Sequence, residues 1–300
     1  MLLRLTENVF LQDGDVPPQL RVGWSALRGN PAADPRVLSQ VIHFFRGREI
    51  DQRTQELTAQ SVVEAKRCGT PSVQLLSVVM AEEQDLAFAG FSAAAPLTRS
   101  IADVGKFAIP RRLPLLFDII DAGAVCSDPN AFMILTNSDI CLNAGFYNNV
   151  SALLRHGVDC LVINRMTVGE IDSYQELPEL GGMEVGQKHP GFDCFVFPVS
   201  WISSFAKVNC CVGMRAVMRP LLYNLVARAN RMLIMRHACL THHYGDEMSW
   251  AVEKYKDYTD HNRLMMAESL KILCRDRVAG RRLSAFCARH GEPFVPQMPA

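Results

Sequence analysis

Residues 131–140 contain the feature that most constrains the fold, an apolar run that stops at a small polar triplet. Residues 131–135 are all apolar, and Asp128 and Pro129 come just before them. A short apolar run bounded by turn residues is typical of a strand buried on both faces, as in a mainly parallel sheet. The triplet Asn137-Ser138-Asp139 should then lie at the C-terminal edge of that sheet, where open α/β sheets bind ligands.

The spacing inside the triplet suggests a ligand set. Side chains alternate along an extended chain, so Asn137 and Asp139 share one face and Ser138 points away. Two oxygen donors so placed suit a hard divalent cation and the phosphates that it carries. The same residue types are equally suited to capping a helix or closing a turn, and both interpretations stay open at this point.

Composition predicts a globular protein with a substantial core. The chain has 300 residues, 49% of them apolar, which suffices for one large α/β domain or two modest ones. Lys plus Arg and Asp plus Glu both number 31, so no charge imbalance favours nucleic acid as a partner. The ten cysteines show no C-x-x-C spacing, and no apolar segment approaches the ~20 residues that span a bilayer. We expect reduced cysteines, a cytoplasmic location and no transmembrane segment.

The first third of the chain is expected to form a βαβ unit. Residues 19–27 alternate enough to be a first strand, and a loop containing Pro31 and Pro35 follows. Residues 54–68 have helical spacing, and residues 73–80 read as a second buried strand. Such units generate parallel sheets with right-handed crossovers.

A second helix is expected within residues 109–120, with Pro114 in its first turn. This placement would put Arg111 and Arg112 at the helix N-terminus, where two cations oppose the helix dipole unless an anion such as a diphosphate binds between them. The alternative is a solvated pair or one matched to nearby acids. The candidate acids are Asp103, Asp118 and Asp121.

Two later strands also end in polar residues. Residues 146–155 are expected to be helical, and the strand predicted at 159–167 carries Asn164 and Arg165, whose side chains should face opposite ways. Before the strand at 194–197 comes a turn with His189 and Asp193. Asp193 is placed to act as a general base at the mouth of a cleft, or only to close an Asx-turn.

The last third continues the alternation of helix and strand, with a helix at 219–228 and a strand at 231–235. His242 and His243 should face opposite ways in extended backbone, so only one of them can be a ligand. Asp246 suits a helix cap, and Trp250 suits either the core or a platform for a sugar ring.

The C-terminal region is expected to be helical and basic on one side. Over residues 260–290 the spacing is helical, and the cations suit either a solvated face or docking against an acidic partner or an anionic surface. They are Arg263, Lys271, Arg275, Arg277, Arg281 and Arg282.

Together these features resemble the core of a GT-A type glycosyltransferase, a superfamily that uses nucleotide-diphospho-sugars. The resemblance spans residues 19–257 and implies an α/β, GT-A-like (Rossmann-type) fold with a mainly parallel central sheet flanked by helices. It leaves an N-terminal extension at residues 1–18 and a helical C-terminal extension at residues 258–300. The segments that carry it are residues 136–140, 163–165, 189–197 and 240–246, with Trp250.

The resemblance assigns the polar triplet to the donor site. In this superfamily a short acidic motif, usually Asp-x-Asp, binds a metal ion and the donor diphosphate. Here Asn137 replaces the first carboxylate, which removes one charge and predicts weaker metal binding. By resemblance, Asp139 would bind Mn2+ or Mg2+, with His243 as the distal metal ligand, and Asn137 and Ser138 would contact the phosphates.

The remaining positions follow from the same resemblance. Arg111 and Arg112 would bind the nucleotide or its phosphates. Asp193 would accept the proton of the acceptor hydroxyl, with Asp246 as the rival base. Contacts with the sugar or acceptor would come from Asn164, Arg165, His189 and Trp250.

The resulting hypothesis is a glycosyltransferase of the hexosyltransferase type. It would move a sugar from a nucleotide-diphospho-sugar donor to a hydroxyl of a glycan, lipid-linked or protein acceptor, and peripheral membrane contact would be compatible with it. One alternative is a catalytically silent nucleotide- or glycan-binding protein. A sugar nucleotidyltransferase normally has a Gly-rich loop after the first strand, where residues 27–30 contain only Gly29, and a dinucleotide oxidoreductase would need an absent G-x-G-x-x-G motif.

Overall fold

Two β-sheets organise the protein in a computed structural model that describes residues 11–12, 37–168, 187–188, 191–236, 238–244 and 253–290. Over these residues the main sheet has eight strands and the second sheet has four. The main-sheet strands are β1 (Leu11–Gln12), β2 (Val37–His43), β3 (Ser72–Val78), β4 (Ser92–Ala93), β5 (Phe132–Thr136), β7 (Cys160–Ile163), β10 (Cys194–Pro198) and β11 (Met232–Met235). The second sheet contains β6 (Ile140–Leu142), β8 (Met166–Val168), β9 (Gln187–Lys188) and β12 (Thr241–Tyr244).

The main sheet is parallel except at β10. Its strand order is β1-β11-β7-β10-β5-β2-β3-β4, and β10 runs antiparallel to both of its neighbours. The expectation of a mainly parallel α/β sheet is therefore confirmed. Because β10 is reversed, its N-terminal end lies at the edge where the parallel strands have their C-terminal ends.

Helices cover both faces of the main sheet. The helices are α1 (Glu49–Cys68), α2 (Leu116–Cys126), α3 (Phe146–Arg155), α4 (Arg219–Arg228), α5 (Lys256–Leu273) and α6 (Arg277–His290). Apolar side chains of α1 and α3 belong to the core on one face, and those of α2 and α4 to the core on the other, where α5 and α6 also pack. The helical C-terminal extension is thus confirmed. No helix in the described part of the chain is long and apolar enough to cross a membrane.

Several predicted elements match the structure closely. The helices predicted at 146–155 and 219–228 are α3 and α4 with the same bounds, and Pro220 lies in the first turn of α4 as a proline should. The strand predicted at 159–167 is instead two strands, β7 and β8, which belong to different sheets.

The βαβ unit begins at a strand that the sequence analysis did not predict. Residues 19–27 lie outside the described residues, and the strand that begins the βαβ unit is β2, which sequence reasoning left within a loop. Ser39 and Gln40 interrupt its apolar pattern, yet both are fully buried. Gln40 donates to Thr136 Oγ1 (2.9 Å) and accepts from the Tyr147 hydroxyl (3.2 Å), so its amide is satisfied inside the core. The strand was not predicted because its buried polar residues break the apolar pattern, and the hydrogen-bond partners of Gln40 come from distant segments.

Candidate functional site

Polar residues follow the strand ends in one row across the edge of the main sheet. Ile42 of β2 pairs with Thr136, Thr136 pairs with Cys194, and Cys194 pairs with Ile163. One residue closer to the sheet edge on each strand is a polar residue. These residues are His43, Asn137, Asp193 and Asn164. Asp193 joins them because β10 is antiparallel, so the residue before this strand comes to the edge where the other strands end.

The chain crosses from the main sheet to the second sheet at this same edge. Residues 137–139 connect β5 to β6, and Asn164 and Arg165 connect β7 to β8. Thr241 Oγ1 of β12 donates to the Asn164 carbonyl (3.0 Å), which joins the two sheets. Short crossings of this kind leave polar side chains between two rigid sheets, which is a suitable support for a binding site.

The first contact within the site joins Asp139 to His243. Asp139 comes just before β6, and His243 of β12 pairs in register with the next residue, Ile140. As a result His243 Nε2 lies 3.1 Å from Asp139 Oδ2. His242 is fully buried, and burial lowers its pKa to about 4. Only His243 of the two therefore reaches the site, as the alternation of side chains predicted.

The second set of contacts involves Asp193. Asn137 Nδ2 donates to Asp193 Oδ1 (3.3 Å), and Arg165 Nε lies 3.4 Å from Asp193 Oδ2. Asn164 is buried, and its side-chain oxygen accepts a hydrogen bond from the Arg165 backbone N–H (2.9 Å), which fixes the turn that carries Arg165. The two sets of contacts are linked by charge, because Arg165 acts on Asp139, and Asp139 and His243 act on Asp193. Together they form the sheet-edge site: Asn137, Asp139, Arg165, Asp193 and His243.

The two carboxylates of the sheet-edge site have different electrostatics. Burial raises the pKa of Asp193 to about 6. The positive charge of Arg165 lowers this pKa, and the negative charge of Asp139 raises it. Burial would also raise the pKa of Asp139, but the hydrogen bond to His243 and the attraction of His243 and Arg165 outweigh it and leave that pKa lowered. Asp139 is therefore the permanent anion, and Asp193 is the group able to take up a proton near neutral pH.

The pair Asp139 and His243 fits part of a metal site. Asp139 Oδ1 is buried and has no hydrogen-bond partner among the described residues, although 39% of the side chain is exposed. Two cis ligands at about 2.1 Å from an octahedral ion lie about 3 Å apart; Asp139 Oδ2 and His243 Nε2 are separated by 3.1 Å. Within the described residues no group of three or more His, Cys, Asp or Glu side chains is placed to hold a metal. A cation here would need phosphate and water oxygens for its remaining positions.

The structure corrects the position of the arginine pair. Helix α2 begins at Leu116, so Pro114 precedes the helix, and Arg111 and Arg112 lie in the preceding loop rather than at the helix N-terminus. Arg112 forms an ion pair with Glu82 (2.8 Å), and the Arg111 guanidinium lies 4.7 Å from the centre of the Tyr255 ring. No ion pair or hydrogen bond joins either side chain to the sheet-edge site among the described residues.

The remaining predicted site residues divide into two groups. Ser138 lies half-buried in the turn between Asn137 and Asp139. His189, Asp246 and Trp250 lie outside the described residues.

His43 lies at the same edge of the main sheet as the sheet-edge site, and it was not predicted from the sequence. It is 8% exposed, its Nε2 is buried without a hydrogen-bond partner, and burial lowers its pKa to about 4. A signal was available, because His43 ends an apolar stretch and is followed by Phe44 and Phe45. It was overlooked because the strand that carries it was overlooked.

The cavities of the fold do not locate the sheet-edge site. A cavity of about 490 Å3 lies between α1 and residues 86–89, and none of the five site residues lines it. The site is therefore identified by its convergent polar groups rather than by an enclosed volume.

The sequence matches no protein-family model, and no curated protein matches it. Solved structures do resemble its fold. TarS from S. aureus in complex with UDP-GlcNAc aligns at a TM-score of 0.42 and 10% identity, covering 84% of this chain and 72% of that one. The catalytic domain of Drosophila β1,4-galactosyltransferase 7, in complex with xylobiose, aligns at 0.42 and 7%, covering 74% and 79%. Rv0371c from Mycobacterium tuberculosis, in complex with manganese, aligns at 0.37 and 11%, covering 75% and 98%.

We base no functional conclusion on similarities this distant. The chemistry of the sheet-edge site has to carry any assignment of function.

Proposed function

We propose that the protein is a glycosyltransferase that transfers a sugar from a nucleotide-diphospho-sugar to a hydroxyl acceptor. The observation that supports this most directly is the sheet-edge site. It combines an anionic carboxylate paired with a histidine and a second carboxylate whose pKa is raised to about 6. Transfer of a sugar from a diphosphate donor to a hydroxyl requires a ligand for the metal and its phosphates, and a proton acceptor beside it.

Asp139 and His243 are the residues that would hold a divalent cation. When bound, such a cation would neutralise charge on the leaving nucleoside diphosphate. A carboxylate together with an imidazole favours Mn2+ over Mg2+, because Mg2+ prefers oxygen ligands throughout. Asn137 and Ser138 lie beside Asp139 and would contact phosphate oxygens. Arg111 and Arg112 remain candidates for the nucleotide, from the loop before α2.

Asp193 is the proposed general base. Its side chain is held from both sides by Asn137 and Arg165, so its two oxygens are fixed in direction. At a pH above about 6 it is mainly ionised and can take the proton of an acceptor hydroxyl. Arg165 favours the ionised form and orients it. Asp246 is the rival base, and contacts to the sugar or acceptor from Asn164, His189 and Trp250 complete the proposal.

A thermal-shift screen tests the donor half of the proposal. The protein is melted with UDP, GDP, TDP and CMP, each with and without Mn2+, and compared with Asp139→Ala and with Asp121→Ala. Asp121 is a matched control because it is a surface acid paired with Lys207. We expect one nucleotide to raise the melting temperature only with Mn2+, in wild type and Asp121→Ala but not in Asp139→Ala. Equal stabilisation of all three proteins would remove Asp139 from the site and with it the proposal.

A catalytically silent nucleotide-binding protein is the second candidate. It is favoured by Asn137, an amide where a second carboxylate would strengthen a metal site, and by the two-residue ligand set. Tight Mn2+-dependent nucleotide binding without donor hydrolysis or transfer to any acceptor would support it. Donor hydrolysis that is lost in Asp193→Asn, with nucleotide binding retained, would exclude it.

A further inference from the structure

The turn between α5 and α6 concentrates positive charge in a protein whose formal charges sum to zero. The chain has 31 Lys plus Arg and 31 Asp plus Glu, yet residues 271–290 hold six cations and a single acid, Asp276. Asp276 forms hydrogen bonds with the backbone, because its Oδ1 accepts from the N–H groups of Val278 and Ala279 at the start of α6. It is therefore oriented toward the helix rather than toward the arginines beside it.

Four of these cations are exposed and have no described partner: Lys271, Arg275, Arg277 and Arg281. Arg282, by contrast, donates to the carbonyls of Ala227 and Arg228 and serves the fold. Elsewhere on the surface, exposed cations commonly face an acid. Such pairs include Arg46–Asp85, Arg67–Glu64, Arg99–Asp118 and Lys207–Asp121. The α5–α6 turn thus presents cations that no acid among the described residues pairs with.

The position of Arg277 sharpens this point. It is the first residue of α6, where a cation opposes the partial positive charge of the helix N-terminus. Arg275 lies two residues earlier and adds to the same repulsion. Asp276 supplies one negative charge at this helix N-terminus, and the two exposed arginines on either side of it leave a net positive charge that a bound anion would offset.

Apolar groups lie among these cations. Val278 is 49% exposed between Arg277 and Arg281. Beside it opens a cavity of about 400 Å3, whose lining includes Phe205, Ile272, Leu273 and Val278. The polar residues of its lining include Arg228 and Asp276. An exposed aliphatic side chain and a largely apolar cavity beside exposed cations match a lipid headgroup region, where phosphates lie next to acyl chains. A soluble polyanion would use the charges but not the apolar groups.

We propose that this basic turn surface, formed by Lys271, Arg275, Arg277, Val278 and Arg281, docks on an anionic lipid bilayer. The proposal is independent of the glycosyl transfer proposed above. The surface consists of side chains from the end of α5 and the start of α6, and it involves none of the residues of the sheet-edge site. A protein held in this way would act on substrates at or near the membrane surface.

Vesicle co-sedimentation of the full chain tests the proposal. We expect strong binding to phosphatidylcholine vesicles containing about one third phosphatidylserine and weak binding to pure phosphatidylcholine. Binding should fall steeply between roughly 0.1 M and 1 M salt, as the Debye length shrinks from about 10 to 3 Å. Replacing three cations with glutamine (Arg275→Gln, Arg277→Gln, Arg281→Gln) should lower the partition coefficient by roughly a hundredfold, about fivefold for each cation.

A charge-matched variant provides the control. Arg46→Gln, Arg67→Gln and Arg99→Gln together remove the same charge from paired surface positions. This variant should bind anionic vesicles nearly as well as wild type, and Val278→Ser should weaken binding by a few-fold. Equal losses in the two triple variants, equal binding to both vesicle types, or binding to heparin without binding to vesicles would each overturn the proposal. A melting curve of each variant confirms that it is folded.

Discussion

At the sheet-edge site Asp193 pairs with Arg165 and Asp139 pairs with His243, and the charges of the two pairs act on one another. At the basic turn surface the exposed cations form no ion pair with a described acid and face solvent. In the first region burial makes each charge depend on its immediate neighbours, and it raises the pKa of Asp193 from 3.8 to about 6. In the second, charges are screened individually and act only through their sum. Substitutions should therefore change chemistry and pH dependence at the sheet edge, and only association and salt dependence at the turn.

Asp139→Ala should have the largest effect, because it removes the permanent anion of the sheet-edge site. If a cation binds there, losing its carboxylate ligand should lower the rate of sugar transfer by roughly a thousandfold or more. The rate is measured as nucleoside diphosphate release with Mn2+ present. A variant that keeps more than a tenth of the wild-type rate would contradict the assignment, and Asp121→Ala should behave as wild type.

Asp193→Asn should lower transfer and raise stability. Loss of a general base typically lowers the rate by about 10²- to 10⁴-fold. The raised pKa means that folding favours the protonated form, so Asp193 contributes stability below its unfolded pKa and loses it as pH rises through about 6. At pH 8 the ionised group costs up to about 3 kcal/mol, which asparagine would recover. Chemical denaturation of wild type and Asp193→Asn at pH 8 and pH 4 measures this difference in the free energy of unfolding.

The prediction for Asp193→Asn depends on the direction in which the stability difference changes with pH. The variant should be more stable than wild type at pH 8, and the difference should vanish at pH 4. Transfer by wild type should rise with pH through about 6. A stability difference that is independent of pH would show that Asp193 is not a buried, reluctantly ionised carboxyl.

His43→Gln should reduce the loss of stability of the folded protein at acid pH. Burial lowers the pKa of His43 to about 4, so the neutral ring is the folded form. Its contribution is fully present above the unfolded pKa of 6.5 and is lost as pH falls toward 4, at a cost of up to about 3 kcal/mol. Denaturation midpoints at pH 7 and pH 4.5 should therefore differ less in the variant than in wild type. An unchanged difference would place the acid sensitivity elsewhere, with buried His242 as the next residue to test.

The smallest effect is expected at the basic turn surface. The triple variant Arg275→Gln, Arg277→Gln and Arg281→Gln should change the free energy of unfolding by no more than about 0.5 kcal/mol, because these side chains are exposed and make no described contacts. Urea denaturation tests this. A loss of several kcal/mol would show that the arginines serve the fold, and the contrast between the two regions would then fail.

Local spacing was enough to predict much of the helical framework. Residues 146–155 and 219–228 have bounds that apolar periodicity and an early proline define within the segment itself. The strand before Asn137 followed from its continuous apolar run, and the opposite directions of His242 and His243 followed from the alternation of side chains. Strand β2 did not, because its buried Gln40 depends on Thr136 and Tyr147, which are about a hundred residues away.

The sequence by itself determined which chemical groups end the strands, since a polar residue after an apolar run is a local property. Only the tertiary structure decided which of them meet. The antiparallel insertion of β10 brings Asp193 beside Asn137, 56 residues away in the chain, and the pairing of β12 with β6 brings His243 to Asp139. Such meetings depend on strand order and register, which are set by the packing of the whole sheet rather than by any single segment.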